Sequence, residues 1–411
     1  MPELIVCAAL AFVVATYVLF SLKDGSWFNI LTPQIFLGIP TLYIAQLGRL
    51  YLGVDARASN AAWAFVYACY CLPLAIFAWT ISHASIPIAM RIRTRRPLKI
   101  RASPWVLLGL GVLLYAPILI EFRASLLSPR SIYEQTRTGY GLYFFLSTML
   151  AMLGFVLYLF KTRSVARRLG FAAMCMLLSL SHGSKGLVIY LTLLWLLHWR
   201  YADGRRVPLR MAAALLGGLS AVLVVLFYLF SSGVELGELA ASMFGYSDYT
   251  ANGLMIVDDD KPALWGRIFF EDNVYSRIPR AIFPDKPKDF GSFLLAEIYF
   301  PESFELDQGV PAFGVGATFA DFKWFSLPIL CLANYLLGLL VRSLRNALAR
   351  FRHPADFVVL AFLSGVPLLS VGVGFLLPEH MLLAVALTLA LRLRLRHRHA
   401  KTAAHSRAPA S

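Results

Sequence analysis

Three arginines in one polar segment have a spacing that could bind an anion. Arg123, Arg130 and Arg137 are each seven residues apart, which on a helix places them on one face with about 10 Å of rise between neighbours. The guanidinium group makes paired hydrogen bonds to phosphate and stays charged at every relevant pH. The segment 122–140 therefore predicts phosphate binding, with lipid headgroups or nearby carboxylates as the alternative partners.

A second basic group lies in the segment 232–312 and consists of Arg267, Arg277, Arg280, Lys286 and Lys288. Arg277 and Arg280 are three residues apart, close to Lys286, and would point together if the backbone were helical there. Glu271 or Asp272 could neutralise them instead. We expect Arg277, Arg280 and Lys286 to contact an anionic ligand.

A glycine-rich pentapeptide, HGSKG at 182–186, interrupts the apolar stretch 169–199. Glycine allows close backbone approach, and the N-terminus of a following helix offers free N–H groups to an anion. A charged Lys185 inside a membrane should face a wet cavity or a partner. A simple tight turn explains the same glycines equally well.

Proton transfer would need a carboxylate or an imidazole, and Glu297 and then His182 are the preferred candidates. The alternatives are Asp285, Glu302, Asp307, Glu379 and His380. Glu297 lies in the apolar sequence FLLAEIYF, so we expect burial to raise its pKa; a salt bridge to an arginine is the alternative. Tyr299, two residues later, is a candidate substrate contact. The sequence has no zinc, nucleotide or serine-hydrolase motif, and we predict no metal or other cofactor.

The composition indicates the elements that must position these residues. Of 411 residues, 59% are hydrophobic and 15% are charged, whereas soluble domains are about 45–50% apolar and about 25% charged. All five cysteines lie inside apolar runs, which gives no sign of a disulfide scaffold or a metal site. The chain is therefore predicted to be an all-α polytopic membrane protein.

Apolar runs long enough to cross a bilayer and the positions of the basic clusters together predict a topology. Short cytoplasmic loops are rich in lysine and arginine, and all the basic clusters lie on one side only if 169–199 crosses twice. About eleven spans follow, with the N-terminus outside and the C-terminus inside. The basic clusters occupy 91–101, 161–168, 200–210, 342–352 and 392–401, and the apolar runs are 3–22, 28–51, 61–90, 104–121, 141–160, 169–199, 211–231, 324–341, 355–377 and 379–396.

The predicted organisation has four parts. Residues 1–231 form transmembrane helices 1–8, with the outer segment 122–140 and the hairpin tip 182–186; residues 232–312 form a long outer loop. Residues 313–396 form helices 9–11, and 397–411 form a disordered cytoplasmic tail. Most of the net charge of +15 then serves topology and contact with membrane lipids, so we expect no nucleic-acid partner.

Three motifs resemble those of the Wzy-type oligosaccharide repeat-unit polymerases. The run 278–287 (IPRAIFPDKP) is similar to the proline- and arginine-containing signature in that family's long periplasmic loop. The pentapeptide 182–186 resembles its small-residue hairpin, with Lys185 where arginine is more usual. Residues 314–321 resemble the Gly-rich start of the following span. The resemblance in topology covers the whole chain.

The resemblance implies a metal-independent glycosyltransferase with a GT-C-like helical bundle in the bacterial inner membrane, its active site facing the periplasm. The substrate would be an undecaprenyl-diphosphate-linked glycan in O-antigen or lipopolysaccharide biosynthesis. The basic residues named above would stabilise the leaving diphosphate, and Glu297 or His182 would accept the proton. A chain-length regulator and a flippase of the same pathway would be partners.

Other functions would fit the same composition. An O-antigen ligase-like enzyme uses the same donor, but members of that family carry a histidine in the long outer loop, and 232–312 has none. A lipid-linked saccharide transporter would need charged groups along a path through the bilayer, and the spans hold few. A non-catalytic scaffold would tolerate the loss of Arg280 or Glu297.

Overall fold

The structure is a computed structural model. It describes residues 1–53, 58–86, 98–100, 103–123, 132, 136, 140–183, 185–230, 248–259, 261–275, 278, 283–305, 311–363 and 395–397.

The described chain is helical apart from one short antiparallel pairing of strands β1 (Leu98–Ile100) and β2 (Leu395–His397). The helices are α1 (Pro2–Asp24), α2 (Thr32–Gly38), α3 (Ala45–Tyr51), α4 (Asn60–His83), α5 (Pro104–Glu121), α6 (Gly141–Lys161), α7 (Val165–Ser181), α8 (Lys185–Leu197), α9 (Leu209–Phe230), α10 (Asp248–Asp258), α11 (Arg267–Val274), α12 (Ser292–Tyr299), α13 (Pro301–Glu305), α14 (Val315–Phe322), α15 (Ser326–Phe351) and α16 (Pro354–Leu363). A π-helical segment, Ile39–Ile44, joins α2 to α3, and the 3₁₀ turn Lys323–Phe325 joins α14 to α15.

The helical, membrane-type fold predicted from composition is confirmed. Among the described residues, four helical segments are long and apolar enough to cross a bilayer: α1, α4, α5 and the stretch Val315–Phe351. The predicted break in 169–199 is also present, because α7 ends at Ser181 and α8 begins at Lys185. The total of eleven spans stays a prediction.

Several predicted span ends are wrong. The run 61–90 is helical only as far as His83, and the span placed at 324–341 continues to Phe351. Hydropathy marks only the apolar part of a helix, whereas α15 continues as a helix through its basic last turns. The end of the run 379–396 is a strand at Leu395–His397; its earlier residues and most of the tail lie outside the described part.

The chain forms two compact units. The first comprises residues 1–91, 203–343 and 360–381, and the second comprises 92–202, 344–359 and 382–411. In the first unit, α1 packs against α4, and α10 packs against α14. One hydrophobic core joins these helices to the long loop, and it includes Trp63, Leu254, Ile268, Leu295 and Phe319.

Basic side chains lie at one end of the first unit. Lys23 Nζ contacts His83 Nε2 where α1 and α4 both end. Trp27 N donates to Val207 O at 3.0 Å, and Arg342 Nη1 donates to Ile81 O at 3.1 Å, so this arginine caps the C-terminus of α4. The predicted basic stretches 200–210 and 342–352 thus both reach this end.

The described part of the long loop packs at the other end of the unit. Arg49, near the end of α3, forms a salt bridge with Asp248 at 3.2 Å. Ser59 N, at the start of α4, donates to Asp258 Oδ1 at 3.1 Å. Because α4 has 24 residues, its ends are about 36 Å apart, which is roughly the thickness of a membrane. The unit therefore has a basic end and a loop end separated by the length of α4.

The second unit is built on α5, α6, α7 and α8, with α5 packed closely against α6. A Cβ atom at Gly111 would lie 2.9 Å from Ser147 O, and one at Gly154 would lie 3.0 Å from Pro104 O. Small residues at such contacts let helices approach closely in a membrane. The unit is therefore held by backbone-to-backbone packing.

Candidate active site

Two carboxylates of α11 cap the N-terminus of α12, the helix that carries Glu297 and Tyr299. Glu271 Oε2 accepts a hydrogen bond from Gly291 N at 2.8 Å. Asp272 accepts from Ser292 N at 2.9 Å and from Ser292 Oγ at 2.6 Å. Negative groups at a helix N-terminus satisfy its free N–H groups and complement its dipole. These bonds hold α12 in a defined place on α11.

α11 is itself fixed to the start of the next membrane-spanning segment. Asp321, which is buried in α14, accepts from Ile268 N at 2.9 Å and from Phe269 N at 2.8 Å. Leu264 N also donates to Ala320 O at 2.9 Å. A continuous set of hydrogen bonds thus runs from α14 through α11 to α12.

Glu297 lies on the exposed face of α12, next to Ile298. The expectation that its apolar neighbours bury it is wrong, because Leu295 and Ala296 take the buried face and leave the carboxylate outside. An exposed carboxylate on a helix whose N-terminus is capped is accessible to a substrate. Glu297 can therefore accept a proton from a bound hydroxyl.

Tyr299, at the end of α12, belongs to a small polar cluster with Lys261 and Asp259. Lys261 Nζ lies 2.9 Å from Asp259 Oδ2 and 4.3 Å from the centre of the Tyr299 ring. Burial raises the pKa of Tyr299, and the Asp259 carboxylate that accepts its hydrogen bond raises it further. The hydrogen bond from Lys261 lowers the pKa of Asp259. Tyr299 is therefore a neutral hydrogen-bond donor, next to a cation that covers its ring.

Lys286 is turned towards the protein. Its Nζ donates to Ile278 O at 3.3 Å and lies 4.3 Å from the centre of the Phe290 ring. Phe290 in turn contacts Tyr275 and Phe293, with ring centres 6.0 and 5.1 Å apart. In this structure Lys286 thus stabilises the turn that leads into α12.

Arg267, which the sequence also places in the second basic group, is neutralised by acidic residues. Its Nε lies 2.9 Å from Glu271 Oε1, and its Nη2 lies 3.9 Å from Asp289 Oδ2. Arg267 therefore follows the alternative considered for the second basic group, in which a carboxylate of the protein neutralises the cation.

His182 is fully buried in the second unit, immediately after α7. The ring centre of Tyr115 lies 4.1 Å away and that of Phe144 lies 5.0 Å away. Its Nδ1 donates to Leu178 O at 2.7 Å, while Nε2 has no hydrogen-bond partner among the described residues. Neighbouring helices thus pack aromatic rings against this histidine. The wet cavity or partner expected for Lys185 stays a prediction, because that side chain lies outside the described part.

The other predicted site residues are only partly described. Arg123 is exposed just beyond the end of α5. Lys185 is the first residue of α8, and its side chain lies outside the description. Arg130, Arg137, Arg277 and Arg280 lie outside the described residues, so their phosphate contacts stay predictions.

The structure brings together Glu297, Tyr299 and the turn containing Lys286, all at the loop end of the first unit. Arg123, His182 and Lys185 belong to the second unit. Sequence reasoning missed the capping role of Asp321 and of the α11 carboxylates. The available signal was an aspartate at the start of an apolar span, where a charge needs a partner.

The arrangement can position an exposed carboxylate and a tyrosine hydroxyl in the described part of the loop. Within the described ranges no group of three or more histidine, cysteine or acidic residues could hold a metal ion. The neighbouring acidic residues have protein partners: Asp258 accepts from Ser59 N, and Asp259 pairs with Lys261. The exposed carboxylate and the tyrosine hydroxyl can take part in proton transfer and hydrogen bonding.

The fold and the site define a multi-pass membrane protein whose long loop is folded onto one end of a helical unit. The chain is 30% identical over 382 residues to the O-antigen polymerases of Salmonella typhimurium strain LT2 and Salmonella typhi, which covers 92% of this chain and 93% of theirs. No protein-family model matches the chain, and no solved structure matches it. The protein belongs to the O-antigen polymerase family, which agrees with the resemblance in its motifs.

Proposed function

We propose that this protein polymerises undecaprenyl-diphosphate-linked oligosaccharide repeat units at the periplasmic face of the inner membrane. The similarity to two O-antigen polymerases over 92% of the chain is the observation that carries the proposal. Metal independence, the identity of the donor, and the chain-length regulator and flippase as partners belong to the proposal too.

The reaction is the transfer of a growing glycan to an acceptor sugar. An acceptor hydroxyl oxygen bonds to the anomeric carbon of the donor, and the bond from that carbon to the diphosphate oxygen breaks. Undecaprenyl diphosphate leaves with the electron pair. The proton of the hydroxyl goes to the carboxylate of Glu297, which α12 holds on its exposed face.

The position of Glu297 in the fold supports this role. The α11 carboxylates and Asp321 fix α12 relative to a membrane-spanning segment. A fixed carboxylate avoids the entropic cost of orienting a base at the moment of reaction. Tyr299 keeps its proton and donates within the Asp259 cluster, so we assign it to substrate positioning.

The leaving diphosphate needs positive charge, which we assign to basic residues predicted from the sequence. These are Arg123, Arg130, Arg137, Lys185, Arg277, Arg280 and Lys286. Preorganised cations stabilise charge as it develops on a leaving group, and arginine can do so without a metal. His182 is the second candidate for proton acceptance; its burial among aromatic rings makes Glu297 the better one.

The orientation in the membrane follows from the two ends of the first unit. Cytoplasmic ends of membrane proteins are rich in lysine and arginine, so the end with Lys23, Arg206 and Arg342 would be cytoplasmic. The long loop at the other end would then be periplasmic. The eleven spans and the GT-C-like arrangement of helices are part of the same proposal.

Reconstitution in liposomes tests the proposal. Purified protein would be supplied with one synthetic undecaprenyl-diphosphate repeat unit, without added metal, and the lipid-linked products would be read by mass spectrometry. We expect a ladder of multiples. We also expect Glu297→Gln to reduce the rate of ladder formation by about 10²-fold or more, because a general base contributes about that much.

Glu302→Gln is the matched control, because Glu302 is another exposed glutamate on the adjacent helix α13. It should leave the ladder unchanged. Transfer only to added lipid A, without a ladder, would contradict polymerisation and indicate a ligase. A normal ladder from Glu297→Gln would remove Glu297 from the reaction while leaving the polymerase function in place.

A further inference from the structure

Helix α11 exposes aromatic side chains while its two carboxylates face the protein; its first residue, Arg267, is also exposed. Its carboxylates, Glu271 and Asp272, point inward and cap α12. Its aromatic residues point outward: Phe270 is 59% exposed, Phe269 is also exposed, and Trp265, just before the helix, is 81% exposed. Contiguous exposed apolar surface of this kind marks contact with a partner or a membrane.

The outward aromatic residues continue onto a membrane-spanning segment. Trp265 N donates to Asp321 O at 2.9 Å, and Phe322 closely approaches Gly266, where an added Cβ would lie 3.3 Å from its ring. Trp324 and Phe325, three and four residues after Asp321, are both exposed in the 3₁₀ turn that leads into α15. The aromatic surface therefore adjoins the point where a candidate span begins.

We infer that α11 lies in the interface of the lipid bilayer, with Trp265, Phe269 and Phe270 inserted among the lipids. Tryptophan and other aromatic residues are enriched at membrane–water interfaces, and a short helix with one apolar face lies in the interface plane. The lipid that surrounds the span would also contact this adjoining surface, so lipid is the partner that we assign to it. Lys323, whose Nζ lies 5.0 Å from the centre of the Phe319 ring, adds a positive charge at the level of the headgroups.

This membrane contact fixes the height of the loop. Since Glu271 and Asp272 hold α12 on the inner side of α11, insertion of the outer side sets α12 at the level of the lipid headgroups. The contact itself does not require the proposed polymerase activity. A result that disproves the membrane contact would therefore leave the proposed polymerase activity untouched, and the reverse also holds.

Photo-crosslinking tests the contact. Phe270→p-benzoylphenylalanine replaces one exposed aromatic side chain with another, and the protein would be placed in nanodiscs of phosphatidylethanolamine and phosphatidylglycerol. Lys288→p-benzoylphenylalanine is the matched control, because Lys288 is exposed in the turn before α12. After irradiation, mass spectrometry would measure the phospholipid attached to each peptide.

We expect about tenfold more phospholipid adduct at position 270 than at position 288, which is the partition expected for one buried aromatic side chain. Equal adducts at the two positions, or crosslinks from position 270 to a second copy of the chain, would overturn the inference. A second measurement uses the protein without p-benzoylphenylalanine, reconstituted with brominated lipids, which quench the fluorescence of tryptophans they contact. The fraction of tryptophan fluorescence that is quenched should be smaller in Trp265→Phe than in the native protein. An unchanged fraction would also overturn the inference.

Discussion

At the scale of single residues, Gly291 shows how tightly the candidate site is built. Its φ is +59°, a left-handed conformation that favours glycine. A Cβ atom there would lie 2.1 Å from Asp272 Oδ1, which is the atom that accepts from Ser292 N. A side chain at 291 would therefore displace the carboxylate that caps α12.

The substitution Gly291→Ala should lower the thermal stability of the purified protein and expose the loop to trypsin at Lys288. Backbone strain at positive φ costs about 1–2 kcal/mol, and the clash should add about 1–3 kcal/mol. Thermal unfolding in detergent and limited proteolysis would measure the two effects.

Gly204→Ala separates strain from clash. Gly204 also has a positive φ, +71°, but among the described residues no atom lies within 4 Å of its Cβ position. It should therefore show the smaller loss and normal resistance of the loop to trypsin. Equal losses in the two variants would mean that contact with Asp272 is unimportant.

At the scale of elements, two glycines let α10 of the loop pack directly on α14. A Cβ atom on Gly316 would lie 2.9 Å from the Cα of Gly253 and 3.0 Å from the Cδ1 of Ile256. The close approach of these backbones joins the loop to the membrane-spanning segment. The carboxylate of Asp321 makes the second connection, through α11.

Gly316→Ala should separate α10 from α14 and destabilise the protein by about 1–3 kcal/mol, the usual cost of overpacking. Gly217→Ala is its control, since Gly217 lies in helix α9 with no atom within 4 Å of its Cβ position among the described residues. Alanine there should be neutral or stabilising by up to about 1 kcal/mol, because it is the better helix former. A Gly316→Ala variant that melts at the temperature of the native protein would contradict the packing argument.

At the scale of the whole molecule, the first unit has a basic end and a loop end separated by the length of α4. Lys23, Arg206 and Arg342 lie at or near the first end; a Cβ at Gly25 would be 3.6 Å from the guanidinium of Arg206. The described loop helices pack at the second end. The unequal distribution of positive charge predicts which end enters the cytoplasm.

Labelling in intact cells tests this orientation. The background variant is Cys7→Ser, which removes the exposed native cysteine. In cells whose outer membrane has been permeabilised, Lys288→Cys should react with a maleimide that cannot cross the inner membrane. Arg205→Cys should react only after the inner membrane is broken. Reaction of Arg205→Cys in intact cells would reverse the orientation and move the loop to the cytoplasm.

The class of protein and the main helices were predictable from the amino-acid sequence. Apolar runs of about 20 residues form helices because only internal hydrogen bonds satisfy the backbone in lipid. The break between Ser181 and Lys185 was predictable from its glycines, and Gly183 adopts the left-handed φ of +69° that favours glycine. The motifs at 182–186, 278–287 and 314–321 also indicated the family that the relatives support.

Which side chains contact one another depends on the three-dimensional packing of the helices. Asp321 caps a helix more than fifty residues earlier in the chain, and local sequence contains no signal for such a partner. Glu297 is exposed and His182 is buried because packing of neighbouring helices, not the polarity of adjacent residues, determines the surroundings of a side chain. Burial and long-range hydrogen bonds depend on the folded chain, whereas hydropathy and turn propensity are local properties of the sequence.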